Sequence, residues 1–272
     1  MGEGAHLVGG ARRTGYAGDV TPPVPDPLAR LARAEAEGQA RYREFGTVSR
    51  FGPLVAAHAG PDLPVNAAWH DGSGGLTRLD LEAFETFGAA HGGQANLHVL
   101  SHAAPSLLPL LRARGYALDY VLHVYTRDLT ALPPPPTLQV REEPDPDAWA
   151  GLAARAFGAG SEAVMRLNAR LTGTRRLVAG VEGVPAGVAA LSLQGGIAAF
   201  YSAATLPEWR GRGVQTALLA ARLHLAARLG ADLASVFVTP GSGSERNVRR
   251  AGFGVAGARL TFTREPTTAP PT

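Results

Sequence analysis

Residues 197–229 read IAAFYSAATLPEWRGRGVQTALLAARLHLAARL. An apolar strand, Ile197 to about Ser202, leads through a short connection into Arg210-Gly211-Arg212-Gly213-Val214-Gln215-Thr216, and a long helix-period run follows. That order carries chemistry. Glycines let a backbone approach a ligand without Cβ obstruction. The residues after them open a helix whose first N–H groups have no internal partner. Those donors and the positive end of the helix dipole suit an anion, above all a phosphate. Arg210 and Arg212 add charge-assisted donors at the same mouth. Val214, Leu218, Ala221, Leu225 and Leu229 fall at helical spacing and predict the face that packs on a sheet.

Two familiar phosphate motifs do not fit. A Walker loop needs Lys before Ser/Thr, and the 272-residue chain has no Lys. No Gly-x-Gly-x-x-Gly follows the strand, so the dinucleotide fingerprint is missing too. Downstream, a second apolar strand spans Asp232–Val238. A Gly/Ser turn then leads into Ser244-Glu245-Arg246-Asn247 and on to Ala251-Gly252-Phe253.

With these flanks the segment resembles the pyrophosphate loop of the GNAT superfamily of N-acetyltransferases, whose pattern is Gln/Arg-x-x-Gly-x-Gly/Ala. Arg210, Gly213 and Gln215 stand at the three marked positions, Gln215 replacing the usual small residue. The following strand, turn and helix ending in Asn…Gly-Phe match the family's order. The resemblance implies direct acetyl transfer from acetyl-CoA to an amine, with the cosubstrate lying where two neighbouring strands splay apart. It implies that Arg210, Gly211, Arg212, Gly213, Val214, Gln215 and Thr216 hold the diphosphate. The backbones of Ala203, Ala204 and Thr205 would pair with the pantetheine arm, and Asn247 would contact CoA. Tyr201 and Ser244 are the catalytic candidates. Tyr201 is either part of a proton wire or a half-buried strand aromatic. Ser244 either donates to the leaving thiolate or caps its helix. The Tyr that the family usually places on that helix is missing from Asn247–Phe253.

Composition narrows the chemistry. Hydrophobic residues make up 45% and charged residues 18%, which suits one large or two small globular domains. There is no Cys, so disulfides, thiolate metal sites and a Cys acyl-enzyme are excluded. All 26 basic residues are Arg, which excludes Schiff-base chemistry. The net charge is +3 without a basic stripe, so no nucleic-acid partner is expected. No apolar run reaches membrane-spanning length and no signal pattern opens the chain, so a cytoplasmic protein with no membrane partner is expected. The eight His residues do not cluster, and no metal is expected.

Along the chain, the Gly-rich residues 1–26, with Thr21-Pro22-Pro23-Val24-Pro25 near their end, read as a flexible arm. A helix is predicted from Pro27 to about Phe45, with Asp26 as its cap. Strands are predicted near Val48–His58 and Leu63–Trp69, a helix at Arg78–Ala90, a strand at Ala95–Ser101, a helix at Ser106–Arg114 and a strand at Leu118–Thr126. Residues 131–136, with Pro133–Pro136, form a stiff connector. Beyond it a strand is predicted at Leu138–Glu142 and helices near Asp147–Ala156 and Glu162–Leu171. Strands follow at Arg176–Val181, Ala186–Leu193 and Ile197–Ser202, joined by turns at Glu182-Gly183 and Gly195-Gly196. A tail occupies 266–272.

The halves align at an offset of 137: Arg114-Gly115-Tyr116 falls on Ala251-Gly252-Phe253, Tyr125–Asp128 on Phe262–Glu265, and Leu63–Trp69 on Phe200–Leu206. The expectation is an α/β protein of two tandem GNAT-like folds, each a mixed, mostly antiparallel central sheet flanked by helices. The copy at 27–130 is degenerate, because Ser73–Leu79 lacks the leading Arg; the copy at 137–265 is the acetyltransferase. The acceptor is expected to be a small-molecule amine. The alternative is a non-catalytic acyl-CoA-binding or sensing protein, suggested by the missing Tyr.

Overall fold

The computed structural model describes residues 26–265; the arm expected at 1–26, apart from Asp26, and the tail expected at 266–272 lie outside the described residues. Asp26 caps helix α1 (Pro27–Gln39), its carboxylate accepting from the Leu28 N–H at 3.0 Å with Pro27 at the first position. Past Gly38 the chain tightens into a 3-10 turn, Ala40–Glu44, so the helix is shorter than the composition suggested. The Val48–His58 stretch is a hairpin, β1 (Thr47–Phe51) and β2 (Leu54–His58), turning at Gly52-Pro53. β3 (Ala67–His70) starts later than expected, because Pro61 and Pro64 have no N–H to give a ladder. Then come α2 (Arg78–Ala90), β4 (Ala95–Leu100), α3 (Ala104–Ala113) and β5 (Ala117–Asp128).

The second half runs β6 (Gln139–Glu142), α4 (Pro146–Phe157), α5 (Glu162–Arg170), β7 (Arg175–Val181), β8 (Val184–Gln194) and β9 (Ile197–Thr205). It continues with α6 (Val214–Arg228), β10 (Leu233–Val238), α7 (Gly243–Arg250) and β11 (Gly254–Arg264). The two expected hairpin turns form, with Glu182-Gly183 and Gly195-Gly196 all at positive φ.

All eleven strands join one sheet in the order β1-β2-β3-β4-β11-β5-β10-β9-β8-β7-β6. β11 lies between β4 and β5, and β5 between β11 and β10, so each half's last strand pairs only with strands of the other half. Helices α2, α3, α6 and α7 cover one face; α1, α4 and α5 cover the other.

Only β3/β4 and β9/β10 are parallel among the strand pairs of the described residues. Their registers correct part of the 137 alignment. Trp69 stands beside His98, whereas Ala199 stands beside Ser235. His98 and Ser235 keep the offset, but Trp69 and Ala199 are seven residues out of it. The first half therefore has a shorter path from strand to helix than the second. From α2 onward the offset holds, and β5 falls on β11.

The predicted stripe on α6 is also revised. Val214, Leu218 and Leu225 are buried, but Ala221 is half-buried and Leu229, at 36% exposure, is the helix's C-cap. Ala217, Leu219, Leu223 and Ala226 are buried with the first three, so α6 is enclosed on most sides. A Cβ on Gly187 of β8 would meet Val214 Cγ1 at 2.6 Å and the Ala204 carbonyl oxygen at 2.8 Å. Glycine there lets the first turn of α6 rest directly on the sheet.

Candidate functional site

β9 and β10 pair from Ile197↔Leu233 to Phe200↔Val236 and then part, although both strands continue. This is the splay that the family resemblance implied. A bulge on β9 helps open it: Tyr201 faces Ala190 and Ala204 faces Val188, so Ser202 and Ala203 together oppose Ala189. Ser202 sits at φ 47°, unusual for a residue with a side chain, and its hydroxyl accepts from Asn168 Nδ2 at 3.2 Å. Nothing in the composition of Ile197–Thr205 announces the bulge.

The loop before α6 has the geometry its glycines implied. Gly211 is at φ 76° and Gly213, the N-cap, at φ 78°. No side chain caps the helix and its first turn has no acid. Among the described residues the amides from Gly211 to Thr216 donate no hydrogen bond, while Ala217 N–H begins the helical ladder on Gly213. Arg210 and Arg212 are exposed, and Arg212 lies 4.9 Å from the centre of the Trp209 ring. Val214, the first residue of α6, is buried.

Between the splay and α6/α7 lies a cavity of about 180 Å³, lined by Tyr201, Ser202, Ala203, Gln215, Arg222, Ser244 and Asn247 among others. Five residues chosen from sequence, Tyr201, Ala203, Gln215, Ser244 and Asn247, thus meet in one place. Ala204 and Thr205 continue along β9, half-buried, and Thr205 Oγ1 is buried without a partner. Ser244 does not cap α7. That role belongs to Ser242, whose Oγ accepts from Glu245 N–H at 3.1 Å, and Ser244 is left exposed at the cavity.

Arg222 was not foreseen. It is 2% exposed, its Nε bonds the Leu218 carbonyl oxygen at 3.2 Å, and its Nη1 is buried without a partner. Its guanidinium stacks 4.6 Å from the Phe200 ring centre. Burial without a countercharge pulls its pKa down to about 9, so it remains a cation at neutral pH. The legible signal was a lone Arg within Leu218-Leu219-Ala220-Ala221-Arg222-Leu223.

A second cavity, about 230 Å³, lies on the opposite face of the sheet, under α1. It shares Phe200, Tyr201 and Phe237 with the first, so the two meet across the splay. Tyr201 OH is 2.7 Å from Thr174 Oγ1. Glu35, Tyr42, His98, Ser235 and Arg259 also line this side, and sequence reasoning named none of them.

The first half lacks an equivalent mouth. At α2, Thr77 and Asp80 form a capping box: Thr77 Oγ1 accepts from Asp80 N–H at 3.2 Å and Asp80 Oδ2 from Thr77 N–H at 2.9 Å. The turn is already satisfied and carries a negative charge. No group of three or more His, Cys, Asp or Glu that could hold a metal occurs among the described residues. No helix of these residues is long and apolar enough to cross a membrane.

Residues 136–253 match the acetyltransferase (GNAT) family model. Among solved structures, the chain is similar to a GCN5-related N-acetyltransferase from Kribbella flavida at TM-score 0.72 and 18% identity, covering 88% of this chain and 96% of that one. A second such protein, from Sphaerobacter thermophilus, gives TM-score 0.55 at 19% identity over 90% and 94% of the two chains. A tandem GNAT protein from the clavulanic acid biosynthesis pathway gives 0.55 at 18% over 80% and 79%. No curated protein matches the chain. At these identities the structures speak for the fold, and the family model speaks for the half that holds the loop. Residues 136–253 are thus similar to the GNAT acetyltransferases in sequence, and the chain as a whole shares their fold.

Proposed function

We propose that the protein is an N-acetyltransferase that moves an acetyl group from acetyl-CoA directly to the amine of a small molecule. The observation that carries the reading is the pair of cavities meeting across the β9/β10 splay, one opening beside the unpartnered turn of α6. A donor on one face and an acceptor on the other would meet at Tyr201.

The residues suit the cosubstrate on their own chemistry. Undonated amides at a helix N-terminus, flanked by two exposed guanidiniums, suit a diphosphate. β9 beyond Phe200 has no neighbour on the β10 side, so its peptide groups can pair with an extended arm. Arg222 brings a buried cation with an unfilled donor to the inner cavity. When bound, acetyl-CoA supplies an activated acyl carbonyl and a thiolate leaving group. The amides at the Ser202–Ala203 bulge offer donors for the carbonyl oxygen as charge develops there. Arg222 offers a positive charge to the departing sulfur, which offsets the absence of a Tyr on α7; Ser244 is a second donor on that side. Tyr201 and Thr174 form a hydroxyl pair able to relay a proton. Asn247 lines the donor cavity from α7. Binding both partners in one orientation supplies much of the rate.

We read the first half as a decayed copy of the same fold. The shared element order, the offset of 137 from α2 onward, and the capping box in place of an open turn support this.

Acetyl-CoA titration tests the site. Wild-type protein should bind in the micromolar range, about −8 kcal/mol. Gly213→Glu, which places bulk and negative charge at the mouth, should weaken binding at least tenfold. Unchanged affinity would refute the assignment. Replacing Ser73–Leu79 should leave affinity unaltered.

A further inference from the structure

We propose that the cavity under α1 takes a small zwitterionic amino compound, its ammonium at Glu35 and its carboxylate at Arg259. This rests on the acyl-transfer reading for the purpose of the site, but its ligand chemistry is argued from the cavity itself.

The cavity holds three side chains with polar atoms the protein leaves unpaired. Ser235 is 1% exposed, and its hydroxyl is buried without a partner. Arg259 makes one side-chain hydrogen bond, Nη2 to Tyr120 OH at 2.9 Å, and its Nε is buried without a partner. Glu35 sits on α1 between the buried Ala34 and Ala36, and among the described residues its carboxylate makes no hydrogen bond or ion pair. Leaving such groups unpaired costs free energy that a ligand can recover.

Their signs specify the ligand. A carboxylate and a guanidinium line one cavity without forming an ion pair, and each acts on the other electrostatically. A ligand carrying both charges would satisfy both; a simple amine would leave Arg259 unanswered. Trp69 and Phe237 flank the guanidinium, with ring centres 5.6 and 5.4 Å away, and supply an apolar wall. At about 230 Å³ the space is below the roughly 300–1,000 Å³ of sites for drug-sized ligands. A free amino acid, or a compound of that size and charge pattern, fits these limits.

Glu35 also suits proton removal. Burial raises its pKa to about 7, against the lowering influence of Arg259 and Arg41. The other titratable groups facing this space are Tyr42, Tyr201 and His98; burial raises the Tyr42 pKa and holds His98 neutral. In the reaction Glu35 accepts one proton from the ammonium. The freed lone pair forms the C–N bond to the thioester carbonyl. The C–S bond breaks with its electrons going to sulfur, and the second nitrogen proton passes through Tyr201 to water or to the thiolate.

The test uses full-length protein and matched acceptors, phenylalanine against phenethylamine and leucine against 3-methylbutylamine. CoA release is measured with acetyl-CoA present, and amino-acid binding by calorimetry with it absent. The carboxylated member should be preferred about tenfold or more. R259M should reduce kcat/KM for that member about tenfold more than for its partner. E35Q should slow both and remove the fall in rate below about pH 7. Circular dichroism on each variant, with R259K alongside, separates a lost contact from a lost fold. Equal or better use of the decarboxylated amines overturns the proposal, as does calorimetric binding of both amino acids that R259M and E35Q leave unchanged. Amino-acid binding without acetyl-CoA binding would sustain the cavity's ligand while refuting the transferase reading.

Discussion

At the residue scale, the side chain that best separates a built site from a plain core is Arg222. A buried guanidinium with no acid near it is a cost to the empty fold, and cores ordinarily avoid it. R222M keeps the volume and removes the charge. The empty protein should then gain roughly 1–4 kcal/mol, the range seen when buried charges give way to apolar groups. The sign of the pH dependence follows from the depressed pKa. Above about pH 9 the folded protein binds fewer protons than the unfolded chain, so wild-type stability rises with pH there and its deficit against R222M narrows. Thermal melts at pH 7 and pH 10 check this. Turnover should move the other way, falling at least tenfold, with the thiol of bound CoA losing its tendency to ionise in ultraviolet absorbance. An R222M variant that is less stable and equally active would mean the residue is merely structural.

At the element scale, the loop and helix that grip an anion were legible because their chemistry is local. Gly211 and Gly213 adopt the positive φ that glycine permits, and the undonated amides follow from position at a helix start. The splay was legible only through resemblance to a family. The bulge at Ser202 and the cavity under α1 were not legible at all, since they depend on strands that meet from distant parts of the chain. α7 shows how such ties work. Glu245 accepts from His123 Nδ1 at 2.6 Å, from Tyr125 OH at 3.0 Å and from Gly241 N–H at 2.7 Å, which anchors α7 to β5. The His123 bond, the Gly241 amide and the Tyr125 hydroxyl hold its pKa down to about 2. A carboxylate with a depressed pKa contributes stability that is present above its unfolded value, near 4.5, and lost as pH falls toward 2. E245Q should therefore melt a few degrees below wild type at pH 7, and the gap should close between pH 4.5 and 2. A gap independent of pH would show that the bonds act through shape alone.

At the scale of the whole molecule, the strand order makes the halves interdependent. A sequence with a polyproline connector and two similar successions of elements reads as two separable domains. In the sheet, however, β5 completes the second half by pairing with β10, and β11 completes the first by pairing with β4. Removing either half strips the other of a strand from the middle of its sheet and uncovers its apolar faces. The connector itself passes beside α6, where His224 Nε2 lies 2.9 Å from the Pro133 carbonyl oxygen. Side chains bridge the halves elsewhere, including the Arg30–Asp232 ion pair, Gln194 to Glu37 at 3.1 Å and Arg41 to the Thr172 carbonyl at 3.2 Å. Residues 1–131 and 137–272 expressed separately should each lack a cooperative melt, since an unpaired interior strand leaves a long edge and a half-open core. Expressed together, they should assemble and recover acetyl-CoA binding. A protease site placed within 132–136 should be cut without the halves parting at micromolar concentration. If either fragment alone unfolds cooperatively with native-like helix content, the exchanged strands are ornament, and the cavity under α1 owes its shape to simple docking of two finished domains.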